Sequence, residues 1–188
     1  AYLPEQLNSI LSQSDVNVRV VAMDDGSTDG TPEWLAERAR SEPRLTVLAV
    51  DGAAGGSAAN FYRLLAAYRP EPNELVAFAD QDDVWMPDKL SRHAALLATG
   101  VDGVSSNVSS FAANGKRTLV RKDYPQREWD YLLESPGPGC SFLMSPRLAA
   151  FAAEVLRRDS DVAPLVDYHD CLIYAIARGH GWTWHIDG

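Results

Sequence analysis

The chain is poor in cysteine and in positive charge, and it has no long apolar run. It carries two cysteines, Cys140 and Cys171, far apart in sequence and without metal-ligand spacing. A disulfide scaffold and a zinc cluster are therefore not expected, and both residues read as buried thiols of a reducing compartment. Lys and Arg number 17 against 26 Asp and Glu, for a net charge of -9. A nucleic-acid partner is disfavoured, because tracking phosphates takes a basic face. No stretch of ~18 consecutive apolar residues occurs, so no spanning helix is expected. The chain also has no visible signal peptide, no internal repeat and no low-complexity segment. The histidines His93, His180 and His185 show no metal-ligand spacing. An acidic balance still leaves room for a nucleotide ligand, since a metal ion can supply the positive charge.

What is present is an ordinary globular composition, 46% hydrophobic over 188 residues, long enough for one domain with a real core. The stretch around which the chain is organised is Phe78-Ala79-Asp80-Gln81-Asp82-Asp83-Val84-Trp85-Met86-Pro87. Leu75 to Ala79 reads as a short buried strand, and three carboxylates follow it directly. Pro87 suits the first position of a helix running to about Thr99. A strand thus delivers negative charge to its own C-terminal end, where open α/β sheets bind ligands. Three acids this close repel one another, and oxygen-only ligands suit Mg2+ or Mn2+. The plain alternative is a solvated acidic turn. It loses weight because a second acidic loop, Asp24-Asp25-Gly26-Ser27-Thr28-Asp29-Gly30, follows another apolar strand, Val16 to Met23.

The remaining elements read in order. Pro4 to Gln13 is an amphipathic helix through Leu7, Ile10 and Leu11. Thr31 caps a helix that has Pro32 at its start and runs to about Arg40. Leu45 to Val50 is a strand, Gly52 to Ser57 a glycine-rich turn, and Ala58 to Tyr68 a helix. This αβαβαβα order predicts a parallel sheet with right-handed crossovers. Beyond residue 100, Asp102 to Ser110 and Lys116 to Arg121 form strands around an Asn114-Gly115 hairpin turn. Gln126 to Leu133 is a short helix, Cys140 to Met144 a strand and Pro146 to Arg157 a helix. Asp159 to Leu165 is a polar, mobile connector. Asp167 to Arg178 is a helix ended by Gly179, and Trp182 to Ile186 is the last strand. Trp85, Trp129, Trp182 and Trp184 read as core residues, with Trp85 also a candidate floor for a sugar site.

Taken together, Glu5 to Gln13, Asp24 to Asp29, Asn60-Phe61, Asp80 to Trp85 with Pro87 and Lys89-Leu90, and His169-Asp170 carry a resemblance. The chain resembles a family 2 glycosyltransferase of the GT-A fold, in its rhamnosyltransferase-like bacterial branch. The resemblance implies one α/β domain with a central, mostly parallel mixed sheet. Residues 1–100 would bind nucleotide and residues 101–188 the acceptor. It implies an inverting, metal-dependent transfer from a UDP- or dTDP-sugar to a saccharide or lipid-linked saccharide in cell-surface polysaccharide synthesis. The implied setting is cytoplasmic, with the inner face of the membrane as an alternative station. It places nucleotide contacts on Asp24, Asp25 and Asp80, metal contacts on Asp82 and Asp83, and the general base on Asp170. Asp25 is preferred for the base, and a turn-capping role is its competitor. Asp170 competes with a first-turn helix role, which suits Asp167 better. His169 lines the pocket or is exposed. One departure stands out: the run Ser57-Ala58-Ala59-Asn60 lacks the Arg that many relatives carry before this Asn, with Arg63 one turn on. The relatives also have a strand before the first helix, so both ends read as trimmed.

Asp25 to Gly30 matches the first half of an EF-hand loop, but the twelfth position is Ala36, which excludes it. A sugar nucleotidyltransferase would show a basic glycine-rich phosphate loop near the N-terminus, and none is present in this sequence. A non-catalytic nucleotide- and metal-binding fragment is the further reading, because the first strand of the family, which base binding uses, is missing.

Overall fold

The computed structural model describes residues 2–49, 52, 55–112, 114–158 and 165–188. Helix α1 (Leu3–Leu11) buries Leu7 and Ile10 on one face and has Pro4 in its first turn, where a missing N–H costs nothing. Strands β1 (Val20–Met23) and β2 (Leu45–Leu48) pair in parallel, joined by α2 (Thr31–Ser41). Helix α3 (Ser57–Ala67) leads to β3 (Val76–Ala77), and α4 (Lys89–Leu97) follows the acidic stretch. Next come β4 (Gly103–Ser106), β5 (Val108–Phe111), β6 (Arg117–Val120) and β7 (Leu143–Met144). Two long helices, α5 (Pro146–Arg158) and α6 (His169–Gly179), precede β8 (Trp184–Asp187).

The α/β class is as expected, but the sheet is divided. Among the described residues β1 and β2 form one parallel pair. Strand β3 joins a second, mixed sheet in the order β3-β7-β4-β8, in which β3, β4 and β8 run one way and β7 runs against them. Strand β7, from the second half, lies between β3 and β4, so both halves of the chain contribute to this mixed sheet, while β1 and β2 pair apart from it. Strands β5 and β6 form a separate hairpin. Its turn is the expected one: Gly115 takes φ +80°, and the Ala112 N–H donates to the Lys116 carbonyl.

Several boundaries shift for local reasons. Strand β1 begins at Val20, not Val16. Pro87 lies before α4, whose cap is Asp88, and its carbonyl instead accepts from the Ser14 N–H at 2.9 Å. Gly30, at φ +84°, caps α2, so Thr31 is the first helical residue. Cys140 falls in a 3-10 turn (Gly139–Ser141), and a second such turn (Asp130–Leu132) stands where a short helix was expected. Helix α6 starts at His169, two residues later than Asp167. The predicted mobility at 159–164, and the predicted strand and turn residues at 50, 51, 53 and 54, lie outside the described residues.

The main core packs α3, α5 and α6 against the four-stranded sheet. Phe142, Met144, Leu148, Ile173 and Tyr174 are buried to 0–1% exposure. Ala149, Ala152 and Ala153 are fully buried on α5, and these small side chains let α3 approach it closely. Of the predicted core tryptophans, Trp85 and Trp184 are buried, but Trp129 is 59% exposed beside the 3-10 turn.

Candidate functional site

A cleft of about 640 Å³ opens between β1 and β3. Its walls are α1, the C-terminal ends of both strands, α3 and the acidic loops; Asp24, Asp25, Ser57, Asn60, Gln81 and Asp82 line it. Two ties hold these elements in place. The Asn60 side-chain amide donates to the Met23 carbonyl at 3.0 Å, fixing α3 to the end of β1. Gln13 donates to the Met86 carbonyl at 2.7 Å and accepts from the Leu90 N–H at 2.9 Å, fixing α1 to the end of the acidic stretch. Backbone and side-chain polarity at both strand ends is thus spent on positioning the two loops.

In the first loop the two aspartates have different tasks. Asp24 accepts from the Gly26 and Ser27 N–H groups at 2.9 and 2.8 Å and closes the turn. Asp29 does the same for Thr31, bonding its N–H and hydroxyl, and these bonds hold its carboxyl below the usual range. Asp25 reaches across to the glycine-rich segment and accepts from the Gly56 N–H at 3.1 Å. Arg63 donates to the Gly52 carbonyl at 2.8 Å, so it braces the same segment.

In the second loop Asp80 and Asp83 converge. Their carboxylates and the Cys140 thiol lie within 4.8 Å of one another. Burial first, then the charges of Asp83 and Asp82, push the Asp80 carboxyl up to about 6; a hydrogen bond from Ser57 opposes the rise, and Asp170 adds to it. Burial, then a hydrogen bond to Asp83, pushes the Cys140 thiol up, so it stays protonated at neutral pH. Asp82 is exposed at the cleft rim, with Gln81 beside it at 3.4 Å. Of the acids expected to hold a metal, Asp83 converges with Asp80 and Cys140, while Asp82 lies at the rim of the cleft. The two close carboxylates are hard oxygen donors that suit Mg2+ or Mn2+, whereas the neutral Cys140 thiol is a soft group that suits neither ion; a cation held by the carboxylates would relieve the repulsion at Asp80.

Lys89 closes the floor. Its Nζ lies 3.3 Å from the Trp85 ring centroid and donates to the Cys140 carbonyl at 2.6 Å. Burial pulls its ammonium down to about 7, with Cys140 and Asp83 opposing. Trp85 is therefore covered by Lys89, not open as a sugar floor.

Asp170 lies in the first turn of α6 and accepts from the Cys171 N–H at 2.8 Å. It is half-buried, and its charge acts on Asp80, which places both carboxylates in one field. Asp167 is exposed and outside the helix. His169 is neither exposed nor a pocket ligand. It is buried between Phe61 and Phe78, at ring distances of 4.1 and 5.0 Å, and burial holds its imidazole below its ordinary pKa. Gly139 is a glycine because a Cβ there would stand 2.0 Å from His169 Nε2.

The sequence reading missed Cys140, Ser57 and Lys89 as parts of this site. Lys89 stood in a matching motif, but Cys140 is 57 positions from Asp83 with no local signal. The thiols are free, and both are partly exposed, contrary to the expectation of full burial.

Comparison with known proteins places this geometry. Residues 1–157 match the profile of glycosyl transferase family 2. The dTDP-rhamnosyl transferase RfbG of Shigella flexneri is 32% identical over 188 residues, 99% of this chain and 65% of that protein. A UDP-Glc:alpha-D-GlcNAc-diphosphoundecaprenol beta-1,3-glucosyltransferase of Escherichia coli, WfgD, is 26% identical over 71% of this chain and 51% of its own length. Among solved structures, S. aureus TarS 1-349 superposes with a TM-score of 0.66 at 21% identity, over 98% of this chain and 53% of that one. The chain therefore spans less than two thirds of the length of these relatives.

Proposed function

The chain belongs to glycosyl transferase family 2, and from that premise we propose that it transfers a hexose from a UDP- or dTDP-linked donor to a saccharide acceptor, with inversion, in surface polysaccharide synthesis. The observation that carries the reading is a cleft lined by Asp24, Asp25 and Asp82, with the Asp80–Asp83 pair in the same loop as Asp82 and Asp170 near enough for its charge to act on Asp80. Relatives named for dTDP-rhamnosyl and UDP-glucosyl transfer support both donor classes.

The roles follow from the chemistry. Uracil and thymine present a ring N–H between two carbonyl oxygens, and a carboxylate accepts from it in a charge-assisted bond. Asp25 has that role; its contact with the Gly56 N–H fixes the carboxylate, which accepts at up to about four sites. Asp24, bound into its own turn, supports the loop. A divalent cation held by Asp80 and Asp83, with Asp82 at the rim, would supply Lewis-acid stabilisation of the diphosphate leaving group. Asp170 accepts the proton of the acceptor hydroxyl, and attack from the side opposite the leaving group inverts the anomeric centre. Its bond from the Cys171 N–H orients the carboxylate.

The test is incubation of the full-length protein with a panel of nucleotide sugars and an acceptor, reading the nucleotide product. Release of nucleoside diphosphate is expected; release of pyrophosphate would instead support a nucleotidyltransferase. Asp170→Asn should lower kcat by about 10²-fold or more with nucleotide affinity nearly unchanged, since a general base acts in the transition state. Transfer at the parent rate by that variant would remove Asp170 from the role.

A further inference from the structure

We propose that the β5–β6 hairpin is a docking surface for an anionic phospholipid membrane. Four of the chain's 17 Lys and Arg residues, Lys116, Arg117, Arg121 and Lys122, fall within residues 114–122, where no acid occurs. The rest of the molecule is strongly acidic, so this charge is segregated. Arg121 is paired with Asp123 at 2.9 Å, whereas Lys116 and Arg117 have no ion-pair partner among the described residues.

The hairpin also exposes apolar side chains where the charge is. Its register sets Ser109 opposite Leu119 and Phe111 opposite Arg117, so Phe111, Leu119 and Arg117 share one face. Phe111 is 52% exposed and Leu119 58%. Just beyond, Tyr124 is exposed, with the Arg121 guanidinium 5.9 Å from its ring centroid. The hairpin forms its own two-stranded sheet, and the exposure of Phe111 and Leu119 leaves this face open. Aromatic and aliphatic side chains ringed by Lys and Arg match the layering of an anionic bilayer surface: acyl boundary inside, phosphates outside.

The position suits a lipid-linked acceptor. Lys122, at the foot of the hairpin, acts electrostatically on Cys171, the neighbour of Asp170. The surface itself does not depend on the catalytic reading, and its test reads no transfer.

The full 188-residue chain is sedimented with vesicles of phosphatidylcholine alone and of equal parts phosphatidylcholine and phosphatidylglycerol. Binding is expected to the anionic vesicles only, with release in about 0.5 M NaCl. Each basic residue near an anionic surface contributes about fivefold, so the double variant Lys116→Gln/Arg117→Gln should weaken partition by roughly twentyfold. Phe111→Ser/Leu119→Ser should weaken it as well, at exposed positions where folding is little affected. Equal binding to both vesicles, no binding to either, or full binding by both variants overturns the proposal. Concentration-dependent self-association without vesicle binding also overturns it and assigns the face to a second copy. Salt release of the parent chain is a measurement that needs no variant.

Discussion

Asp80 is held where its charge is opposed by burial and by Asp83 and Asp82. Its folded pKa of about 6 lies above the unfolded value of about 3.9. The native state therefore binds the proton more tightly, and stability falls as pH rises between those values. Above pH 6 the full penalty is present; below pH 4 it is gone. Asp80→Asn, which cannot ionise, should stabilise the chain by roughly 1–2 kcal/mol at pH 7.5 after allowing for solvent screening, and by little at pH 4. Urea unfolding at the two pH values checks this; an equal gain at both would mean that packing, not charge, sets the effect. His93 works in the opposite sense. Burial pushes it down to about 4, so stability is lost as pH falls below about 6.5. At this scale the sequence disclosed the acids but not their partners. The Asp80-Gln81-Asp82-Asp83 run and the Asp24-Asp25 pair are legible because strand-then-acid is a local pattern. That Asp80 converges with Asp83, and that Cys140 and Ser57 join them, depends on folding across tens of residues.

Between elements, the decisive contact is that of the Gly139–Ser141 turn with the start of α6. His169 Nε2 lies so near Gly139 that any side chain there must displace the ring, which Phe61 and Phe78 hold on two sides. Gly139→Ala should cost about 1–3 kcal/mol, the usual range for overpacking. Because Asp170 follows His169, the same change should also shift the carboxylate proposed as the general base and lower transfer. Thermal unfolding measures the first effect, and Gly139→Ala/His169→Ala should recover part of the lost stability. A fully stable single variant would show that the contact is soft. The sequence pattern located each helix to within a few residues, because amphipathic spacing, proline and glycine punctuate them. It placed Pro87 inside α4 and Thr31 at a cap for want of one fact each: Asp88 forms the cap before α4, and Gly30 adopts a positive φ. His169 was misplaced because angular separation from Asp170 along a helix says nothing of which residue meets the core.

For the whole molecule, the order of elements conveyed an α/β fold and an acidic end to it, but not how the strands combine. The apolar run Leu75 to Ala79 predicted a buried strand; the strand is the shorter Val76–Ala77, half-buried with Leu75 exposed, and the run did not reveal that its hydrogen-bonded neighbour is β7. A two-residue strand pairs with whatever edge tertiary packing presents, and that choice is not local. The division leaves β1 and β3 facing across the cleft, with α1 and α3 on its walls and both acidic loops at its mouth. The central claim is that this cleft holds a nucleoside diphosphate through a divalent cation on Asp80 and Asp83. Calorimetric titration of UDP into the full-length protein, with Mn2+ and again with a chelator in its place, tests it most directly. The account predicts binding with Mn2+ that weakens by about tenfold or more without it, roughly 1.4 kcal/mol or above; equal affinity in the two titrations would contradict it.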